Sequence, residues 1–277
     1  MIVDCQVHAY EADNPARPWV NVLPGPPSVT GEELVAAMDG TGVDAAILVS
    51  AWTMYRYDWS YAVSVGQAYP ERFALVAPVD ISSPAVAETI DEWAGIDGAV
   101  GIRIFEFPED PDHPGLHSAI AAAQRHSLTV NLLTFDHHGQ VATLARTHSD
   151  CQFAIDHMGV RPPRVPPLHA NPFAKLPQVL EYAAFDNIAI KISGVGTMSA
   201  EGYPFADLWE PMERVFDAFG LDRCMWGSDW TRAVEFLTYQ DAVDAIRLSN
   251  RLSETERAKL MGGSLQKIYG WSPPDAN

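Results

Sequence analysis

Five side chains in this sequence combine proton-transfer and electrostatic capability, and each falls on or at the end of a β-rich apolar run: His8, Arg103, His157, Lys191 and Asp229. A carboxylate can take a proton from water, an imidazole can pass one on, and fixed cations stabilise the oxyanion that grows on an attacked carbonyl. That set suits an active site. Asp229, His8 and His157 read as catalytic; Arg103, Lys191, Asn131, Ser193 and Trp52 read as substrate-binding. Taken singly, each buried polar residue is as well explained as a satisfied interior group. Their convergence favours a site. Other candidates carry less. The adjacent pair His137 and His138 cannot chelate from one strand face and reads as loop, while His113, His117, His126, His148 and His169 have no partner at ligand spacing. Arg161 and Arg164, in a Pro-rich stretch, could meet a carboxylate or only water. Ser228 precedes Asp229, but no GxSxG supports a serine nucleophile.

Something must bring these residues together. Eight short apolar runs, at about residues 2-7, 43-49, 73-79, 99-105, 128-134, 151-156, 188-193 and 223-228, alternate with stretches of helical spacing such as Leu116, Ile120 and Ala123. Alternating βα units predict a parallel sheet, and eight of them suit closure into a (β/α)8 TIM barrel of the α/β class, which takes about 250 residues as one domain. The 277 residues are therefore expected to form a single domain. A doubly wound sheet is disfavoured, because no GxGxxG follows the first run. Alternation along each strand predicts which residues face the barrel interior. It puts Val3, Cys5 and Val7 outward with Asp4, Gln6 and His8 inward, and Val100, Ile102 and Ile104 outward with Gly101, Arg103 and Phe105 inward. Lys191, Ser193, Asn131, His157 and Asp229 are likewise expected inside. Ser253 followed by Glu256 predicts a capping box opening a last helix to about Tyr269.

Composition narrows the partners. Thirty-six acidic residues against 18 basic give a net charge of −18, which repels nucleic acid and anionic membranes. An anionic substrate then requires the few cations to be gathered at one place. No apolar run reaches the roughly 18 residues of a membrane span, and no signal-peptide pattern opens the chain, so a cytoplasmic protein is expected. Three cysteines without a CxxC read as buried thiols.

Five motifs in order then resemble a known family. Asp4-x-x-x-His8, Gly101-x-Arg103, Asp156-His157-Met158-Gly159, Lys191-x-Ser193-Gly194 and Trp226-Gly227-Ser228-Asp229-Trp230 are similar to those of the amidohydrolase superfamily, closest to its amidohydrolase-2, lactonase-like branch. The resemblance runs from residue 2 to about 270, where Met261-Gly262-Gly263-Ser264 has Ser in place of the usual Asn. It implies the barrel, hydrolysis, and a strand-eight Asp that activates water. One departure bears on metal: the family's usual HxH is here Gln6-Val7-His8, and a carboxamide binds zinc far less well than an imidazole. Asn131 stands where metal-dependent relatives often offer another ligand. The expectation is a lactonase acting on a small carboxylated or hydroxylated lactone without a cofactor. The alternatives are a decarboxylase of an aromatic acid that uses one divalent metal, zinc by ligand type, and a barrel that only binds ligand. Substrate and oligomeric state, including a homo-oligomer, stay open.

Overall fold

The architecture follows from where the short apolar runs pair, in a computed structural model that describes residues 1–22, 25–135, 137–162, 171–234 and 236–274. Arg164 and His169 lie outside the described residues. The strands are β1 (Val3–Val7), β2 (Ala45–Val49), β3 (Phe73–Pro78), β4 (Ala99–Ile104), β5 (Thr129–Leu132), β6 (Phe153–Ile155), β7 (Ile188–Ser193) and β8 (Cys224–Gly227). Each pairs in parallel with the next, in the order β1 to β8. Helices between them cover the outside. The eight predicted runs each contain one strand.

Outward residues such as Ile102, Ile104, Val130, Leu132, Ile190 and Ile192 join the helices' apolar faces in one core. Pro114–Arg125 begins with Pro at its first turn and buries Leu116, Ile120 and Ala123. A second, smaller core fills the barrel itself with Val3, Cys5, Ala45, Ile47, Val76, Ala154, Ala189 and Met225. Its floor is the helix Ser264–Tyr269, whose Leu265 and Tyr269 belong to that interior cluster. The Ser253 capping box opens a short helix, Glu254–Ala258, and a π turn over Lys259–Gly263 joins it to the floor. No helix among the described residues is long and apolar enough to cross a membrane.

Strict alternation fails at two places, for one reason. The ladder steps from Asp4↔Ala46 to Val7↔Leu48, so β1 carries one residue more than β2 there. Val3 and Cys5 consequently lie inside, Asp4 turns outward to Tyr239, and after the bulge Val7 faces out again. The ladder from Leu75↔Ala99 to Val76↔Gly101 gives β4 the same extra residue, and Val100 packs against the interior cluster. The expected directions of Val3, Asp4, Cys5 and Val100 are thereby reversed. Those of Gln6, His8 and Arg103, beyond the bulges, hold.

β1 and β8 meet at a seam held by side chain as much as backbone. Asp229 N donates to Gln6 O at 3.0 Å, Ser228 N donates to Asp4 Oδ1 at 3.0 Å, and Tyr239 OH donates to Asp4 Oδ2 at 3.0 Å. Gly227 permits this approach, since a Cβ there would sit 2.7 Å from Cys5 Sγ and 3.1 Å from both Asp4 Oδ1 and Gln6 N. Gly227→Ala is expected to destabilise the protein by about 1–3 kcal/mol through overpacking, and Cys5→Ala in the same chain to recover part of the loss. Urea unfolding tests this; an unchanged midpoint would show that the seam has room to spare.

Candidate active site

At the C-terminal end of the strands, His8, Arg103, His157 and Asp229 line one cavity of about 190 Å³ together with Tyr10, Trp52, Met54, Phe105, Leu133, Phe135, Arg161, Thr231 and Arg232. Its volume is below the roughly 300 Å³ at which pockets for drug-sized ligands begin. A single small ring fits that scale.

The two acid–base ends of the site rest on unusual backbone. Asp229 has φ 49°, and His157, Met158 and Gly159 follow one another at φ 53°, 54° and 64°. Left-handed non-glycine residues persist only where the surroundings over-determine them. Strand alternation points Asp156 inward from β6 and would send His157 out; the left-handed turn is what returns His157 to the cavity. Gly194, also left-handed, leaves space where a Cβ would lie 3.2 Å from Asp229 Oδ2 and 3.3 Å from His157 Nδ1. The Lys-x-Ser-Gly motif is thus a cradle for two other motifs.

Asp229 is buried between the histidines. His8 Nε2 lies 3.4 Å from its Oδ1, and His157 Nδ1 lies 4.0 Å from its Oδ2. Oδ1 has no hydrogen-bond partner. Because a carbonyl only accepts, His8 Nδ1, 2.7 Å from Val49 O, carries a proton and leaves Nε2 facing Asp229. Burial pulls the His157 imidazole down to about 4 despite the neighbouring carboxylates, and its Nδ1 lies 3.0 Å from Ser193 Oγ. Burial works against the Asp229 carboxylate, but His157, His8 and Arg232 together hold it below the usual carboxylate range. With His157 neutral above about pH 4, the charge of Arg232 contributes to that effect at neutral pH.

Three expected substrate contacts lie elsewhere. Lys191 is fully buried beneath the cavity, 3.0 Å from Asp156 Oδ1, and donates to Gln6 Oε1 at 2.8 Å. Asn131 donates to Ile102 O at 2.9 Å and accepts from Tyr269 OH, so its amide is committed to the barrel floor. Ser193 supports His157 from below. Each is satisfied by protein groups, and none lines the cavity. Trp52 does line it, but Phe105 stacks on one face with centroids 3.8 Å apart and Arg56 sits 3.9 Å over the other. Only its edge can meet a substrate. His137 stacks on Phe107, and His138 Nδ1 lies 2.7 Å from Tyr182 OH. His117 Nδ1 lies 2.8 Å from His148 Nε2, a pair that sequence spacing did not suggest.

Asp156 is the residue the sequence reading passed over as a site component. It receives Arg103 Nε at 2.7 Å and is fully buried. Its place two residues after inward Ala154 would have revealed it. Arg232 was also missed, having no motif of its own.

The same atoms bear on metal. His8 Nε2 and the open Asp229 Oδ1 face one another, but Gln6 turns its amide nitrogen toward His8 Nε2 at 3.4 Å while its oxygen accepts from Lys191. An N–H donor stands where a ligand would have to be. Among the described residues no group of three or more His, Cys, Asp or Glu is placed to hold a metal ion. Zinc takes at least three protein ligands, and of His8, His157 and Asp229 the third, His157, turns its Nδ1 to Ser193 Oγ at 3.0 Å.

Comparison with known proteins places these observations. A protein-family model, Amidohydrolase, matches residues 3–271. An L-fucono-1,5-lactonase from Burkholderia ambifaria is 30% identical over 207 residues, 72% of this chain and 69% of that protein. One of the same name from Burkholderia multivorans is 25% identical over 219 residues, 73% of this chain and 72% of that protein. Among solved structures, an amidohydrolase from Burkholderia multivorans with bound zinc superposes with TM-score 0.78 at 21% identity, over 98% of this chain and 100% of that one.

Buried neutral His157 makes stability depend on pH. Its folded value, about 4, is below the ordinary value of about 6.5, so the unfolded chain binds the proton first and stability is lost as pH falls through that window. Asp4, pushed up to about 6 by burial, changes stability in the opposite direction, so the wild type shows only the difference. His157→Asn keeps a side chain tolerant of left-handed backbone and cannot titrate. Relative to wild type it is expected to gain about 2–3 kcal/mol between about pH 7 and about pH 4.5, read from denaturant unfolding at each pH. Parallel profiles would show that the folded protein protonates His157 as readily as the unfolded chain does.

Proposed function

The chain belongs to the amidohydrolase family and is a hydrolase; from that premise we propose that it opens a small carboxylated or hydroxylated lactone with water activated by Asp229. The observation that carries the reading is the buried Oδ1 of Asp229, which lacks a hydrogen-bond donor at the floor of a cavity sized for one ring. A water there would donate to Oδ1. Its oxygen attacks the lactone carbonyl as the proton passes to Asp229, and the resulting oxyanion is stabilised by Arg103. Collapse breaks the ring C–O bond, and the leaving oxygen takes a proton delivered from Asp229 through His8 Nε2, 3.4 Å away. His157, neutral at working pH, positions Asp229. Lys191 acts at one remove, by fixing Asp156 and so the guanidinium of Arg103.

The facing pair of His8 Nε2 and Asp229 Oδ1 favours a second reading, a decarboxylase of an aromatic acid in which a divalent metal, zinc by ligand type, is held by these two residues. The substitution at Gln6 argues against it.

Asp229→Asn preserves shape but cannot take the proton, so lactone hydrolysis is expected to fall roughly 10²- to 10⁴-fold with little change in melting temperature. Exhaustive chelation is expected to leave wild-type turnover intact. Near wild-type turnover in a folded Asp229→Asn enzyme would remove the proposed base. Stoichiometric zinc whose removal abolishes activity, restored on its return, would favour the second reading.

A further inference from the structure

Of the 18 basic residues in a chain of net charge −18, three arginines line the cavity, against the single carboxylate of Asp229 among the described lining residues. They are not equivalent. Arg103 is engaged by Asp156, and Arg161 lies 4.5 Å over the ring of Phe135. Arg232 is half-buried in the cavity wall, and among the described residues its guanidinium has no hydrogen bond or ion pair. It is close enough to help hold Asp229 ionised. We infer that Arg232 is the specificity-determining residue of this site, binding a carboxylate carried on the ring of the substrate, so that the enzyme acts on anionic rather than neutral lactones.

The geometry behind this is one short helical turn, Trp230–Arg232, directly after Asp229. Arg232 N donates to Asp229 O at 3.0 Å, and Thr231 Oγ1 accepts from His8 N at 3.0 Å. Trp230 stacks on Tyr239 with centroids 5.1 Å apart, and its N donates to Ser228 Oγ at 3.0 Å. The turn therefore fixes the spacing between the base and the cation. A ring whose carbonyl meets the water on Asp229 can set a carboxylate against Arg232, whose planar fork donates two parallel hydrogen bonds to its oxygens. Much of the remaining wall, including Met54, Phe105 and Leu133, is apolar and suits the ring itself.

The inference rests on the lactonase reading, and the experiment separates the two. The γ-lactone of hydroxyglutaric acid and its carboxamide differ only in the charge. Wild-type kcat/KM is expected to favour the carboxylate, with Arg232→Gln reducing that preference roughly 10- to 100-fold, chiefly through KM, and Arg232→Lys restoring part of it. Thermal melting confirms that each variant is folded. If Arg232→Gln leaves the preference unchanged, or lowers both substrates equally, the inference falls while the lactonase reading stands. If wild type hydrolyses neither lactone, titration calorimetry with tetrahydrofuroate and its carboxamide decides. Binding of the carboxylate alone, weakened tenfold or more in Arg232→Gln, upholds the anion site without the lactonase reading. Equal binding of both probes, no binding of either, or no effect of the substitution overturns it.

Discussion

The site depends on one buried carboxylate. Asp156, at the end of β6, accepts from Arg103 on β4 and forms an ion pair with Lys191 on β7, and Lys191 in turn donates to Gln6 on β1. Burial alone would neutralise Asp156 and Lys191; each other's charge, with Arg103 beside them, holds the acid well below its usual range and the amine above its own. Desolvating three charges is expensive, and such a cluster is weak evidence of stability compared with an apolar interior of the same volume. What it does supply is position. One carboxylate fixes the ends of three strands and, through Lys191, a fourth, and it turns the free edge of the Arg103 guanidinium to the cavity.

Much of this was legible in the sequence. Ile188, Ile190 and Ile192 declare the outer face of β7, and Lys191 and Ser193 fall inside as alternation requires. The illegible part arises where the chain departs from period two. A one-residue bulge cannot be seen in Asp4-Cys5-Gln6, where apolar and polar residues alternate plausibly in either register, so Val3 and Cys5 were sent outward and Asp4 inward. Inward was also read as exposed to substrate. Lys191 and Asn131 face the interior yet lie below the cavity, because an interior position on a barrel strand has depth as well as direction. Trp52 shows a third limit: its type suits a substrate contact, but the partners that cover its faces, Phe105 and Arg56, come from the end of another strand and from its own turn.

The acidity of the chain sharpens the role of its cations. Several arginines and lysines pair with surface acids, as Arg125 does with Asp91 and Lys259 with Asp222. In such surroundings a cavity lined by arginines is a local reversal of potential, and low-dielectric walls focus it. The field that repels polyanions elsewhere leaves one entrance favourable to a small anion.

The left-handed backbone at His157 and Asp229 limits which sequences can carry this chemistry. Asn, Asp and His are the non-glycine residues most tolerant of that conformation. Proton chemistry and backbone geometry thus select the same residue types. Glutamate could supply a base, but it would bring a longer arm and a backbone preference against the turn. Most single-residue neighbours of this sequence at those two positions therefore carry a conformational cost before their chemistry matters, and drift toward new reactions is easier through the residues of the wall.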